Sequence, residues 1–224
     1  MKQILIALIF SFTTFIFAQD PIEKSIGDFK ELKVYDLIEV ELIKSDMNKV
    51  VITGNDAKSV LINNKNGTLK IKMELAKVFD GNNTKVKLYY KTIDVIDANE
   101  GSNIHSKDEI KQFDIDLKAQ EGGKINVNVN VNYLSVKAVT GGIVEATGTA
   151  KKETIAILTG GVFKGEKLQS EAADVSINAA GEASVKASKV VDVKIRAGGD
   201  VFIYGKPETI NESRVLGGRV NRME

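Results

Sequence analysis

The stretch "LSVKAVTGGIVEATG", residues 134–148, contains an alternating strand, a Gly-Gly corner and a second alternating strand. The same plan recurs in "TIAILTGGVFKGEKL" (154–168), "DVSINAAGEASVKAS" (174–188), "DVKIRAGGDVFIYG" (192–205) and "SRVLGGRVNRM" (213–223). The corner glycines of this repeat are Gly101, Gly122, Gly141, Gly160, Gly181, Gly198 and Gly217. A period of about 20 residues, made only of strands and turns, predicts a solenoid whose successive coils stack on one another.

One coil of this length cannot bury its apolar side chains alone, whereas stacked coils share a continuous core. Inward positions should therefore hold small or β-branched residues, and glycine should occupy corners where a Cβ would clash. The predicted inward residues are Val136, Ala138, Ile155, Ile157, Val175, Ile177, Val193 and Ile195. A β-sandwich also has alternating strands and frequent turns, but it offers no reason for the 20-residue recurrence.

The pattern of residues 20–92, before the repeat, predicts irregular short strands. The coils are expected over residues 93–224, and both parts are expected to belong to one domain. Asn66-Gly67 separates two alternating segments and favours a tight antiparallel hairpin. Helix signals are scarce. Ser106 and Glu109 could cap one helical turn in "HSKDEIKQ" (105–112), although a loop fits that segment at least as well.

The first 19 residues, "MKQILIALIFSFTTFIFAQ", resemble a secretory signal peptide, with one basic residue, an apolar run and a small residue, Ala18. After its removal we expect no transmembrane span. The chain has no cysteine, so disulfides cannot stabilise it. Loss of Lys2 from the 31 basic residues balances the 30 acidic ones, which argues against nucleic-acid binding.

A second stretch, "KINVNVNVNYLSV" (124–136), alternates apolar residues with asparagines. This alternation predicts a strand with one buried face and one outward face. The outward face holds Asn126, Asn128, Asn130 and Asn132. Asparagine is a poor strand former, so the row is either a solvated face without charge repulsion, a ladder of stacked amides, or a polar contact surface. We take it as the candidate binding surface.

Catalytic motifs are scarce. The single histidine, His105, falls in a predicted loop without partner ligands or a nucleophile, and no metal site or cofactor is expected. Two groups of acids remain: Asp94, Asp97 and Glu100 cluster in "IDVIDANEG" (93–101), and Asp114 and Asp116 fall on the same face of a strand in "FDIDL" (113–117). Paired carboxylates can cleave glycosidic bonds, but alternation alone places polar residues together on any half-exposed strand.

The chain resembles the auto-transporter adhesin "head GIN domain" family, exported proteins of Bacteroidetes-type bacteria. The resemblance runs from "FKELKVYDLIEVELIKSD" (29–46) through "VITGNDAKSVLINNKNGTLKIKM" (51–73) to "AGGDVFIYGKPETINESRVLGGRV" (197–220). Its most specific part is the ending, where Tyr204-Gly205-x-Pro207 precedes the last Gly217-Gly218 corner. Family corners often read Ser-Gly, whereas those of this chain do not. The resemblance implies an all-β, right-handed parallel β-helix and assigns no catalytic or binding residues.

Together these features predict a non-enzymatic, exported binding or scaffold protein of a Gram-negative cell envelope, periplasmic or at the outer membrane and cell surface. Its partner would be a protein or a glycan, and the residues leave its oligomeric state open. The alternative is a β-helix polysaccharide lyase or hydrolase that uses the paired carboxylates.

Overall fold

The computed structural model describes residues 20–223, so the predicted signal peptide lies outside the described residues. The first seven strands are β1 (Ile22–Ser25), β2 (Glu31–Val34), β3 (Glu39–Lys44), β4 (Lys49–Gly54), β5 (Val60–Lys65), β6 (Thr68–Met73) and β7 (Thr84–Tyr90). The next ten are β8 (Val95–Ala98), β9 (Asn103–Lys111), β10 (Asp114–Gln120), β11 (Lys124–Val139), β12 (Ile143–Leu158), β13 (Val162–Ile177), β14 (Glu182–Ala197), β15 (Asp200–Tyr204), β16 (Thr209–Leu216) and β17 (Arg219–Arg222).

Most of the described residues are in strands, and the strands belong to one wound sheet. Helix in this part of the chain is limited to two short 3-10 turns, Ala57–Ser59 and Leu75–Lys77. Neither is long and apolar enough to cross a membrane. The predicted all-β fold is confirmed.

From β8 onward each coil supplies one segment to each of two sheet faces, and the long strands β11 to β14 bend from one face to the other. Face A contains β8, β10, the second halves of β11 to β14, and β16; face B contains β9, the first halves of β11 to β14, β15 and β17. All of these pairings are parallel, which confirms the parallel β-helix.

Equivalent residues stack from coil to coil. Val136 aligns with Ile155, Ile155 with Val175, and Val175 with Val193. All eight residues predicted to point inward are buried. The hydrophobic core is therefore a continuous column along the stack.

The glycine corners need their glycines for two different reasons. At one corner Thr140 (φ 49°) and Gly141 (φ 71°) both adopt the left-handed conformation, which is least strained for glycine. A Cβ on Gly141 would have open space around it, whereas one on Gly142 would lie 2.0 Å from the Ala119 carbonyl oxygen of the coil below. At this corner the steric clash therefore falls on Gly142 and not on Gly141, the corner glycine identified from the sequence.

The coil stack extends into the region that was expected to be irregular. Strands β2 and β3 pair in parallel with β8 and β9, and β6 and β7 pair in parallel with the other edges of β2 and β3. The stacking order is therefore β6–β7, then β2–β3, then β8–β9, which differs from the chain order.

Strands β4 and β5, which lie in the chain between the coil β2–β3 and the coil β6–β7, close one end of the stack. Strand β4 runs antiparallel to β7, and β5 forms an antiparallel hairpin with β6 in which Lys65 aligns with Thr68. Asn66 (φ 52°) and Gly67 (φ 76°) make its tight turn, as predicted. These strands cover an end that would otherwise expose unpaired edges.

Candidate binding surface

The asparagine row, defined as Asn126, Asn128, Asn130 and Asn132, lies on the outer side of β11, as the alternation predicts. The intervening residues Ile125, Val127, Val129 and Val131 are all buried. The first three asparagines lie on face B. Asn132 lies at the edge where the coil turns toward face A, and its backbone N–H donates to the carbonyl oxygen of Phe113 (2.8 Å).

The row is not part of an amide ladder. Asn126 lies between His105 of the preceding coil and Glu145 of the following one. The coil neighbours of Asn128 and Asn130 are not asparagines either. The row therefore runs along one coil rather than across several.

The side-chain amides of the row make no hydrogen bond to any protein group among residues 20–223. Other asparagines of the chain are used structurally. Asn48 donates to the Asp28 carboxylate (2.9 Å), and Asn64 donates to the Gly27 carbonyl oxygen (2.9 Å). Because each amide carries two donors and an acceptor oxygen, the row presents several hydrogen-bonding groups to solvent.

An exposed aromatic pair adjoins the end of the row. Phe113 and Tyr133 are 62% and 51% exposed, and their rings meet edge to face with centroids 5.4 Å apart. This pair was not predicted from the sequence, because the two residues are twenty positions apart and come from adjacent coils. The sequence signal for the pair was weak, because it consisted of single aromatic residues in two coils of a chain with few aromatic residues.

Two of the candidate acids, Asp94 and Asp97, each have a structural partner. Asp97 is buried, lies 3.5 Å from the Lys33 ammonium, and accepts hydrogen bonds from Asn99 (3.1 Å) and Gln120 (3.0 Å). Asp94 forms an ion pair with Lys30 (3.2 Å). Both carboxylates are thus held by structural partners.

The second pair lies on the outer side of β10, where Asp114 is exposed and Asp116 half-buried. The register places Lys118, rather than an acid, beside Asp97, and places Val95 beside Asp116. Stacking of coils therefore does not bring these carboxylates face to face.

The prediction that His105 lies in a loop is wrong. His105 lies in β9, half-buried on face B, where it aligns with Glu41 and Asn126. The alternation in "SNIHSK" was too short to reveal a strand, and the pairing is made with distant coils. Within residues 20–223 no three potential ligands among His, Asp and Glu are grouped to hold a metal ion.

A shallow groove of about 370 Å³ lies where the closing segment meets face A. Asp36 organises it: this buried carboxylate accepts hydrogen bonds from the backbone N–H groups of Met73 (3.0 Å) and Phe79 (3.2 Å). Leu75, on the rim, is 91% exposed. Burial raises the pKa of the nearby Glu100 carboxyl, and the negative charge of Asp36 raises it further.

The fold defines the class of the protein: a parallel β-solenoid closed at one end by antiparallel strands. Within that class, the chain belongs to the family described as "Putative auto-transporter adhesin, head GIN domain", whose model matches residues 28–207. No curated protein sequence matches the chain significantly.

Several solved structures share this fold. A "putative adhesin" from Bacteroides fragilis is similar with a TM-score of 0.83 and 17% identity, covering 91% of this chain and 96% of that one. A "putative adhesin" from Parabacteroides merdae has a TM-score of 0.71 and 16% identity, with 92% and 96% covered. A "putative lipid binding protein" from Parabacteroides distasonis has a TM-score of 0.67 and 21% identity, with the same coverage. At these identities the likeness shows the fold alone.

Proposed function

We propose that the protein is a non-enzymatic, exported binding module of a Gram-negative cell envelope, which contacts a protein or glycan through the outer surface of its coils. The observation that carries this proposal is the asparagine row. Its amides are directed outward and have no hydrogen-bond partner among residues 20–223, so a ligand can use their donors and acceptors.

The solenoid suits such a role because it holds these side chains on a rigid strand. Asn126, Asn128 and Asn130 follow one another at alternate positions of β11, which is paired on both sides by β9 and β12. Side chains two positions apart on a strand are about 7 Å apart. A partner with hydrogen-bonding groups at a similar spacing could contact several amides at once, with little loss of protein conformational entropy.

Export is supported by the predicted signal peptide, and a role in attachment by the family description and by the names of similar structures. The non-enzymatic assignment is supported by the ion pairs of Asp94 and Asp97, which favour structural roles for these acids. Incubation of the purified protein with neutral and acidic polysaccharides tests this assignment, because new reducing ends would contradict it.

The contact surface is tested by changing all four asparagines of the row to serine. Serine keeps a small polar side chain but lacks the amide group, so attachment of expressing cells to glycan-coated and protein-coated surfaces should fall. A matched control carries Ser135→Ala and Thr154→Ser, two exposed positions on face A. Unchanged attachment of the asparagine variant would show that the row is not the contact surface.

Location is tested by protease treatment of intact cells that express an epitope-tagged protein. Loss of the tag while a periplasmic control survives is the result expected of an attachment protein. Protection until the outer membrane is opened would contradict attachment to an external surface and would leave a periplasmic binding role.

A further inference from the structure

The aromatic pair Phe113 and Tyr133, together with the adjoining end of the asparagine row, forms a site whose chemistry fits a carbohydrate ring. We infer that this edge of the solenoid binds neutral glycans. The inference rests on the proposed function and specifies the ligand class and the residues that contact it.

The aromatic pair lies between charged residues of the two adjacent coils. The register aligns Tyr133 with Asp114 of the preceding coil and with Lys152 of the following coil. Farther along this edge Lys189 pairs with Glu171 (2.6 Å), and the positions that follow Lys152 in register are the half-buried Ala172 and Val190. An aromatic pair that is more than half exposed between Asp114 and Lys152 is an apolar surface available to a ligand.

The two rings are held by a rigid backbone. The Phe113 carbonyl oxygen accepts hydrogen bonds from the backbone N–H groups of Asn132 (2.8 Å) and Tyr133 (3.1 Å). Gln112 donates its side-chain amide to the carbonyl oxygens of Asp114 (2.6 Å) and Ile93 (2.9 Å). These bonds join neighbouring coils at the edge, so the site is formed before a ligand binds and little ordering is required on binding.

The neighbouring polar groups complete the chemistry. Asn132 directly precedes Tyr133 in the chain and Asn130 lies three residues before it, and neither side-chain amide has a hydrogen-bond partner among residues 20–223. Asp114 adds an exposed carboxylate. A pyranose ring presents a face of C–H groups that can lie on an aromatic ring, while its rim of hydroxyls needs donors and acceptors. Aromatic surface next to unpaired amides satisfies both requirements.

The charges favour a neutral ligand. Among the described residues Asp114 forms no ion pair, and neither does Lys111, which aligns with Asn130 on the adjacent coil. Lys152, beside Tyr133, is paired with Asp174 (3.2 Å). Two more charged groups nearby, Asp116 on β10 and Lys151 on β12, also form no ion pair among the described residues. Carboxylates and ammonium groups are therefore balanced, and neither sign of charge selects an anionic sugar.

The test measures binding of neutral oligosaccharides to purified residues 20–224 by saturation-transfer NMR and titration, with cellohexaose, maltohexaose, xylohexaose and mannohexaose as probes. We expect saturation of the ring C–H protons of at least one probe. Phe113→Ala and Tyr133→Ala should each weaken that binding by about tenfold or more. Tyr133→Phe, which keeps the ring, should retain most of it.

Phe79→Ala is the matched control, because Phe79 is a similarly exposed aromatic residue (58%) near the closed end of the stack. Thermal unfolding of every variant should agree with that of the unchanged protein, since both target rings lie on the surface. Absence of binding to all four probes would overturn the inference, and so would wild-type affinity in both alanine variants.

Cell attachment separates this inference from the proposed function. Attachment that is lost with the asparagine row but kept in both ring variants would overturn the glycan site and leave the binding role intact. The purified protein could instead bind a probe through the two rings while expressing cells show no attachment. That combination would support the glycan site and contradict the attachment role.

Discussion

The carboxyl group of Glu153 is completely buried in the coil stack, where it accepts a hydrogen bond from the Ser170 hydroxyl (2.9 Å). Its second oxygen, Oε2, has no partner among the described residues. Burial raises the pKa of this carboxyl to about 8, and the hydrogen bond from Ser170 opposes the shift only in part. Glu153 is therefore mainly protonated in the folded protein at neutral pH.

This carboxyl should make stability fall as pH rises. Between its ordinary pKa of 4.5 and about 8 the unfolded chain has released the proton while the folded chain keeps it. The contribution is fully present below pH 4.5 and is lost as pH rises through 8. At about 1.4 kcal/mol per pKa unit, the loss is roughly 4–5 kcal/mol. Urea unfolding at pH 5, 7 and 9 measures it.

Glu153→Gln provides the control for this prediction, because glutamine resembles the protonated acid and does not titrate. It should remove most of the pH dependence, whereas Glu171→Gln at an exposed position should leave it unchanged. An equally steep pH dependence in Glu153→Gln would show that other groups cause it.

Alanine substitutions at one corner should separate conformational strain from steric clash. Gly142→Ala should destabilise the protein by about 3 kcal/mol or more, because the new Cβ would lie 2.0 Å from the Ala119 oxygen. Gly141→Ala meets open space and should cost only the left-handed strain, about 1–2 kcal/mol. Chemical unfolding of the two variants compares these costs, and equal values would contradict the close approach at Gly142.

Removal of the Asp36 carboxylate should loosen the closing segment. Asp36→Ala leaves the N–H groups of Met73 and Phe79 without acceptors, at a cost of about 1–3 kcal/mol for each one that stays buried. Asp36→Asn keeps one acceptor and tolerates the φ of 60° at this residue, so it should be milder. Hydrogen exchange should accelerate over residues 73–81. Unchanged exchange in the alanine variant would contradict this role for Asp36.

Asp97→Asn distinguishes a structural acid from a catalytic one. The Oδ1 atom that accepts from Asn99 and Gln120 can be retained, and Lys33 keeps its ion pair with Glu31 (3.2 Å). Because Asp97 is buried and its charge-assisted hydrogen bonds would become neutral ones, we expect a loss of about 1–2 kcal/mol in unfolding free energy and no change in any glycan-directed activity. A cleavage activity that disappears in this variant would instead support the carboxylate enzyme.

The coil architecture was predictable from the sequence because its signals are local. The recurrence of corners such as Thr140-Gly141 reports the length of a coil, and strand alternation reports which side chains point inward. The same alternation placed the asparagine row on the outside. The hairpin at Asn66-Gly67 was also predictable, since its turn chemistry is contained in two residues.

Other features depended on contacts that the linear pattern does not report. The stacking order at the closed end could not be predicted, because β2 pairs with β6 and β8 rather than with its chain neighbour. His105 was assigned to a loop for a related reason, since its strand is defined by pairing with Glu41 and Asn126 of other coils.

The sequence by itself determined that the chain is an all-β solenoid, which residues line its core, and that an uncharged amide row lies outside. These properties follow from side-chain period and turn chemistry, which operate over a few residues. Only the tertiary structure decided that Phe113 meets Tyr133, that Ser170 meets Glu153, and that Asp97 meets Lys33. Each of these contacts joins different coils, so it depends on the register of parallel pairing and on how closely the backbones approach.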